Sequence, residues 1–502
     1  MKKRPIFNIV ISIFITIAFL AYYSAIWCFD KYGDIGFDAI LFTLFSDLDG
    51  VEGGLVSSYL AFVSKGLLFS LPITLFILLF NSKKSIILAL KKIKLTLYPL
   101  GKIHISILSF ILCFTLIFTA SKIVGADVWL NAVTNSTKIY NTEYVDPKAA
   151  NITFPENKRN LIYILMESGE TTFYSKDAGG AFDENHIPEL YNLAQNNTSF
   201  SQSDNIPGIN TVAGASWTMG AIVAQTSGIP LNLPVNGNEM SNYSSFLPGA
   251  YTLNDILHEN GYYQSFICGS NAEFGGRKKY FEQHNVDAIF DYISAQSDDI
   301  IPEGYHDNWW GMEDFNLYEY AKQRLLIDSQ KEQPFALFML TVDTHHIDGN
   351  ICEYCKESNP EQYLNVYNCA SKQINDFVNW IKEQDFYENT TIVIAGDHLS
   401  MDYSFMERNI DIENYGRKIY NCFINSAVTT KNSNNRVATQ LDMYPTVLAS
   451  MGCKIENNRL ALGVNLFSDE PTLTEKYGFN NFNLEISKKS NFYDNVLLRP
   501  MK

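Results

Sequence analysis

The apolar positions of this chain fall into two regimes. Near the start they form long uninterrupted stretches: Phe7 to Phe29 without a charge, about Leu55 to Phe80, and about Ile103 to Ala120. At about 1.5 Å per helical residue, each can cross a hydrocarbon core of roughly 30 Å. The first is longer than the core of a signal peptide and is followed by no small-residue cleavage site, so it is expected to stay as a membrane span. Beyond residue 160 the apolar runs are short, rich in β-branched and aromatic residues, and stop abruptly at polar ones. Asn160 to Met166 ends before Glu167, Gln264 to Cys268 before Gly269, Phe335 to Val342 before Asp343 and His345, and Thr391 to Ala395 before Asp397 and His398. Helical patterns lie between them. Continuous apolar strands alternating with helices predict an α/β fold whose mostly parallel central sheet is buried on both faces. Ligands in such sheets sit outside the carboxyl ends of the strands, where these polar residues are expected to converge.

Charge divides the chain at the same place. Its 502 residues carry 38 Lys+Arg and 54 Asp+Glu, a net charge of -16. Residues 1–124 alone hold 12 basic and 6 acidic side chains, so residues 125–502 hold 26 and 48. The second part is too acidic to cover nucleic acid, and no nucleic-acid partner is expected. Lys2, Lys3 and Arg4 precede the first span, and six lysines with no acid lie between Asn81 and Lys102, whereas Asp34, Asp38, Asp47, Asp49 and Glu52 fill the loop between the first two spans. The positive-inside rule places the N-terminus and the lysine-rich loop in the cytoplasm and everything after the third span outside. The expected organisation is a three-span anchor over 1–124, a connecting arm over 125–159 broken by Pro147 and Pro155, and an extracytoplasmic domain over 160–502. Lys65, inside the second span, is expected to snorkel or face protein.

At the strand ends, Glu167, Asp397 and His398 offer two carboxylates and an imidazole, with further imidazoles at His345 and His346. Each alone reads equally well as a helix cap or a solvated turn. Together, from separate strands, they suit one divalent cation, Mn²⁺ or Zn²⁺ and after them Mg²⁺, able to polarise a phosphoryl or sulfuryl oxygen. A hydroxyl is offered by the charge-poor stretch Ile206 to Pro230, where a helix is expected from about Thr218 to Ala224, ending near Gly228. A hydroxyl at a helix N-terminus stands where unpaired N–H groups favour an anion, although such residues also serve as plain caps. Cys352, Cys355 and Cys369 contain a C-x-x-C. A fourth zinc ligand at similar spacing is not evident, so a disulfide from Cys369 to Cys355 or Cys352 is expected.

With those residues in view, the chain resembles the alkaline phosphatase/sulfatase superfamily, and within it the membrane-anchored phosphoglycerol transferases of the phosphoglycerol transferase I type and the related lipoteichoic acid synthases. The resemblance covers most of 155–465. It rests on LIYILMESGE around Glu167, SWTMGAIVAQTSGIPL from Ser216, FGGRKKYFEQHNVDAIFDY from Phe274, WWGMEDFNLYEYA from Trp309, FMLTVDTHHIDG ending at Gly349, and TTIVIAGDHLS around Asp397. The TVDTHH-x-DG stretch points to the branch that modifies periplasmic glucans.

The resemblance implies Glu167, Thr218, Asp397 and His398 as metal ligands, with Thr218 also the nucleophile. It implies His345, His346 and Arg277 as contacts to the substrate phosphate or glycerol, and His345 as a proton donor to a leaving oxygen. Where relatives tend to carry G-T-G-[YF]-T, this chain has Gly214-Ala215-Ser216-Trp217-Thr218. Ser216 and Thr211 are therefore the second and third candidates for the nucleophile. Gly275 stands where the lipoteichoic branch has tryptophan.

The implied activity is transfer of a phosphoglycerol headgroup from a membrane phospholipid to a periplasmic glucan or similar envelope acceptor, by a multi-pass enzyme of the inner membrane. The alternatives are a phosphoethanolamine transferase, a phosphodiesterase or sulfatase-type hydrolase, and a non-catalytic glucan- or lipid-binding protein. A sulfatase would need a C-x-P-x-R nucleophile motif, which the chain lacks.

Overall fold

The computed structural model describes residues 3–32, 53–79, 86–90, 93–97, 102–126, 130, 134–232, 245–305, 311–412 and 414–498. Most of the acidic loop after the first span, the Trp309-Trp310 pair, and the side chains of the lysine-rich loop lie outside the described residues. The chain divides into two compact units, 1–37 with 51–129, and 38–50 with 130–502.

In the first unit, three helices are long and apolar enough to cross a membrane: α1 (Lys3–Tyr32), α2 (Gly53–Leu79) and α3 (Lys102–Ile123). Polar contacts join α1 to α2, with Asn8 Nδ2 donating to Ile77 O at 2.8 Å and Trp27 Nε1 to Ser58 Oγ at 3.3 Å. A polar group in an apolar helix finds its partner on a neighbouring helix because lipid offers none. Lys65 Nζ lies over the Phe62 ring, 4.1 Å from its centroid. Part of the lysine-rich loop is an antiparallel hairpin, Ile86–Leu90 against Ile93–Leu97.

The second unit is built on a six-stranded sheet. Its strands are β1 (Asn160–Met166), β2 (Tyr263–Cys268), β3 (Ala288–Phe290), β4 (Phe335–Leu340), β5 (Thr390–Gly396) and β6 (Asn421–Ile424). The spatial order is β6-β5-β1-β4-β2-β3, parallel throughout except for β6, which runs antiparallel at the edge. All four expected strands are present and lie in this one sheet. Every residue of β1, β4 and β5 is buried, which is why these runs show no polar alternation. The covering helices that matter for the site are α4 (Thr218–Ser227), α5 (Arg277–Gln283), α6 (Asp314–Asp328), α7 (Gln362–Lys382) and α8 (Gln440–Ser450).

The chain lays down β1, β2 and β3 to one side, returns to insert β4 beside β1, then places β5 on β1's other flank. This reversal opens a crevice at the carboxyl end of β1, the usual ligand position in open α/β sheets. The stretch expected as a connecting arm packs into this unit. Val145 bridges to Ala461, Ile152–Thr153 pairs with Lys454–Ile455, and the fully buried Tyr140 donates its hydroxyl to Ile486 O at 2.8 Å. From residue 130 on, the stretch expected as a connecting arm thus lies within the second unit.

Candidate active site

β1 and β5 approach each other as closely as backbones can where they end. A Cβ on Gly396 would fall 1.7 Å from Gly169 O, and one on Gly169 would fall 2.9 Å from Gly396 Cα. Only glycine at both positions lets the two strand ends meet. The residues carried on them are thereby brought together: Glu167, Asp397 and His398 place ligand atoms within 4.8 Å of one another, and all three are at most 2% exposed.

Asp397 Oδ1 accepts backbone N–H bonds from Ser168 at 2.8 Å and His398 at 2.6 Å, while Asp397 Oδ2 is buried and meets no donor. Ser168 Oγ donates to Glu167 Oε1 at 2.9 Å. The His398 ring approaches Leu399 O through Nδ1 at 2.8 Å, and its Nε2 lies 3.4 Å from Glu167 Oε1 and 3.5 Å from Asp397 Oδ2. The carbonyl contact makes Nδ1 the donor and directs Nε2 at the two carboxylates. Burial pushes Asp397 up, and the charge of Glu167 adds to it. Burial also acts against the charged form of Glu167, but His398 and His345 outweigh it and hold that carboxyl below its usual range. For His398, burial is overcome by Asp397 and Glu167, so the imidazolium is favoured. Two buried carboxylates, one orphaned oxygen and one imidazole nitrogen fit a divalent cation.

Helix α4 begins beside this group. Trp217, the residue before the first turn, is extended and its side chain makes no cap bond to the helix. Thr218 Oγ1 lies 3.4 Å from Glu167 Oε2 and 3.4 Å from His398 Nε2. Gly228, left-handed at φ 64, closes the helix as expected. Of the other hydroxyls, Thr211 Oγ1 is buried without a partner, and Ser216 is half-buried in the turn before α4. Ala215 is fully buried.

His345 and His346 stand on the loop after β4 with their rings stacked, centroids 4.4 Å apart, and His345 Nδ1 lies 2.7 Å from His346 O. Burial lowers both imidazoles, so they are neutral at physiological pH, and Glu167 partly counteracts this at His345. Arg277 opens α5 and is only 3% exposed; Nε donates to Phe274 O at 3.1 Å and Nη2 to Asn271 O at 2.7 Å. Its charge acts on His345 and Cys268. The guanidinium is therefore fixed by backbone carbonyls, near enough to His345 for its charge to act there.

Several residues that hold the site escaped the sequence reading. Gln440 Nε2 donates to Ala215 O at 2.7 Å and Asp397 O at 2.6 Å, and its Oε1 accepts from Val212 N at 3.2 Å. Gln225, on α4, donates to Gly396 O at 3.0 Å and accepts from Tyr163 Oη at 2.6 Å. Glu170 is fully buried against Arg417 and accepts from Ser400 N at 3.0 Å. A glutamine in the otherwise apolar run of α4, seven residues after Thr218, was the one available signal.

The expected disulfide is not formed. Among the described residues all cysteines are free thiols, and Cys352, Cys355 and Cys369 meet as a three-sulfur cluster. The C-x-x-C turn brings Cys352 to Cys355 while α7 delivers Cys369 to the same place, so no single pair is singled out.

Over 256 residues the chain is 34% identical to phosphoglycerol transferase I of Escherichia coli O127:H6, covering 50% of this chain and 32% of that protein. The match thus spans about a third of the relative's length. A Vibrio parahaemolyticus protein in the alkaline phosphatase superfamily aligns with TM-score 0.49 at 21% identity, over 70% of this chain and 80% of that one. The lipoteichoic acid synthase LtaP from Listeria monocytogenes aligns with TM-score 0.48 at 17% identity, over 66% and 80%. The sulfatase family model matches residues 159–453, well over half of the chain, and the protein therefore belongs to the sulfatase family.

Proposed function

We propose that the protein is a phosphotransferase that moves a phosphoglycerol headgroup from a membrane phospholipid to a glucan or similar envelope acceptor through a covalent intermediate on Thr218. The observation that carries this reading is the placement of Thr218 Oγ1 at the N-terminus of α4, 3.4 Å from both a Glu167 oxygen and His398 Nε2. The 34% identity to a phosphoglycerol transferase supports the headgroup.

Glu167, Asp397 and His398 would hold a divalent cation, which when bound supplies Lewis acidity that lowers a neighbouring hydroxyl's pKa and offsets phosphoryl charge. The chain's own groups do the rest. Thr218 Oγ1 attacks the phosphodiester phosphorus; an O–P bond to threonine forms, the bond to diacylglycerol breaks, and the proton lost by the Thr218 hydroxyl passes to the diacylglycerol oxygen as it leaves. An acceptor hydroxyl then attacks the same phosphorus, the P–O bond to Thr218 Oγ1 breaks, and the acceptor's proton passes by way of a base to that oxygen, which restores Thr218. The N–H groups of α4 and the fixed Arg277 guanidinium favour the nonbridging oxygens. The neutral His345 can accept the acceptor's proton or hold a phosphate oxygen. Three membrane-spanning helices keep the enzyme with its lipid donor, and the lysine distribution favours an inner-membrane protein with this domain outside the cytoplasm.

Incubation of the full-length protein with mixed phospholipids, followed by mass spectrometry of its peptides, tests the proposal. A phosphoglycerol adduct on Thr218 is expected. An adduct of phosphoethanolamine mass, or one on Ser216, would replace the headgroup or the nucleophile, and unmodified protein with no turnover would remove the enzymatic reading.

A further inference from the structure

The strand-end crevice leaves a second group of ligating side chains unused. Cys352, Cys355 and Cys369 place all three sulfurs within 4.8 Å of one another, with Cys352 Sγ 3.5 Å from Cys355 Sγ and 3.8 Å from Cys369 Sγ. A disulfide would join two of them and strand the third. Three thiolates sharing one tetrahedral ion at a metal–sulfur distance of about 2.3 Å stand about 3.8 Å apart, the spacing these sulfurs already approach.

Their surroundings are those of ligands. Gln373 Nε2 donates to Cys369 Sγ at 3.2 Å and Cys352 Sγ at 3.6 Å, and Cys352 N donates to Cys355 Sγ at 3.3 Å. Such N–H···S contacts orient thiolates and spread their charge. Beside them lie the carboxyls of Asp314 and Asp343, 1% and 2% exposed, which exchange bonds with each other's backbone N–H at 3.2 Å. Asp343 Oδ1 is buried and meets no donor. Cys352 is among the groups that act on both carboxyls, and Asp343 acts on Cys369. Three thiols and two carboxyls therefore share one buried neighbourhood; burial favours the protonated form of both carboxyls, and thiolates formed there would need a positive partner.

We propose that Cys352, Cys355 and Cys369 form a second cation site that takes a single thiophilic d¹⁰ ion of the zinc or copper(I) class. Three metal–sulfur bonds form, and the thiol protons pass to solvent. Sulfur ligands separate this site in preference from the oxygen-rich one at Glu167 and Asp397. The loop that leaves β4 with His345 and His346 runs on to Cys352 and Cys355, while Cys369 belongs to α7. The bound ion staples that loop to the helix.

The test uses reduced, metal-free, full-length protein in detergent, titrated with cobalt(II), whose ligation by thiolates gives a near-ultraviolet charge-transfer band that carboxylate and imidazole ligation does not. The band is expected in wild type and in Glu167→Ala, and is expected to disappear in Cys352→Ser and Cys369→Ser and on adding zinc. Without any variant, zinc should slow alkylation of all three thiols at least tenfold. Absence of the band in wild type overturns the proposal. So does finding, in protein purified without reductant, that Cys369 is disulfide-linked to Cys352 or Cys355.

Discussion

Gly169 and Gly396 are in backbone contact across the ends of β1 and β5, so near that a methyl group on Gly396 has no room beside the Gly169 carbonyl. The glycines themselves ligate nothing, but they set the distance between Glu167 and Asp397. Gly396→Ala must push the two strand ends apart. Overpacking of this kind costs about 1–3 kcal/mol. The expected result is a lower unfolding midpoint together with a weaker hold on divalent metal, read by denaturation and by metal titration of the same protein. A variant that kept wild-type metal affinity would show that the strand-end approach does not position the ligands.

Thr218 and Glu167 should separate chemistry from metal binding. Thr218→Ala is expected to abolish the covalent adduct and lower headgroup transfer by at least 10³-fold, in line with loss of a nucleophile, while leaving the protein folded. Thr218→Ser should retain part of the rate. Glu167→Ala and His398→Ala are expected to abolish transfer through loss of the metal, measured as metal content of the purified protein. Adduct formation on Thr218 in metal-free His398→Ala protein would break the proposed link between the two.

Gln440 ties the loop before Thr218 to the backbone of Asp397. Gln440→Glu keeps an acceptor for Val212 N but loses the donor shared by the two carbonyls. Partners that orient ligands are worth about 10–100-fold in metal affinity or activity. A drop of that size is expected in transfer rate, with the Thr218 adduct still formed. If stability fell while the rate per folded molecule stayed unchanged, Gln440 would be a packing residue alone.

The contrast between Glu167 and Gln440 shows what could be read from one dimension. Glu167, Asp397 and His398 each follow an unbroken apolar strand, and a parallel sheet brings such ends together whatever the loops do. Gln225 and Gln440 bind carbonyls far away in sequence; Gln225 at least stands out as an amide within the apolar run of α4, whereas nothing local distinguishes Gln440 from other buried amides. Strand β6 was missed because four residues beginning with asparagine carry little periodicity, and β3 because three residues carry none. The polarity of the connecting arm gave no sign of the contacts that Tyr140 and Val145 make with the second unit. Cysteine spacing suggested a pair, whereas the return of α7 makes it a trio.

His398 gives the metal-free protein a defined response to pH. Its folded pKa lies above the ordinary imidazole value of about 6.5, because Asp397 and Glu167 outweigh burial. A group raised on folding contributes stability that is complete below its unfolded pKa and is lost as pH rises through the folded one. Asp397, also raised, acts in the same direction, since its proton is retained in the fold after the unfolded chain has lost its own. Metal-free protein should therefore become less stable between about pH 6 and pH 8. A divalent cation takes the place of those protons, so its apparent affinity should rise over the same interval and its binding should release protons. Calorimetric titration in buffers of different ionisation enthalpy measures that release, which should be larger at about pH 6 than at about pH 8. Proton release that grows with pH, or that is unchanged in His398→Ala, would remove His398 from the ligand set.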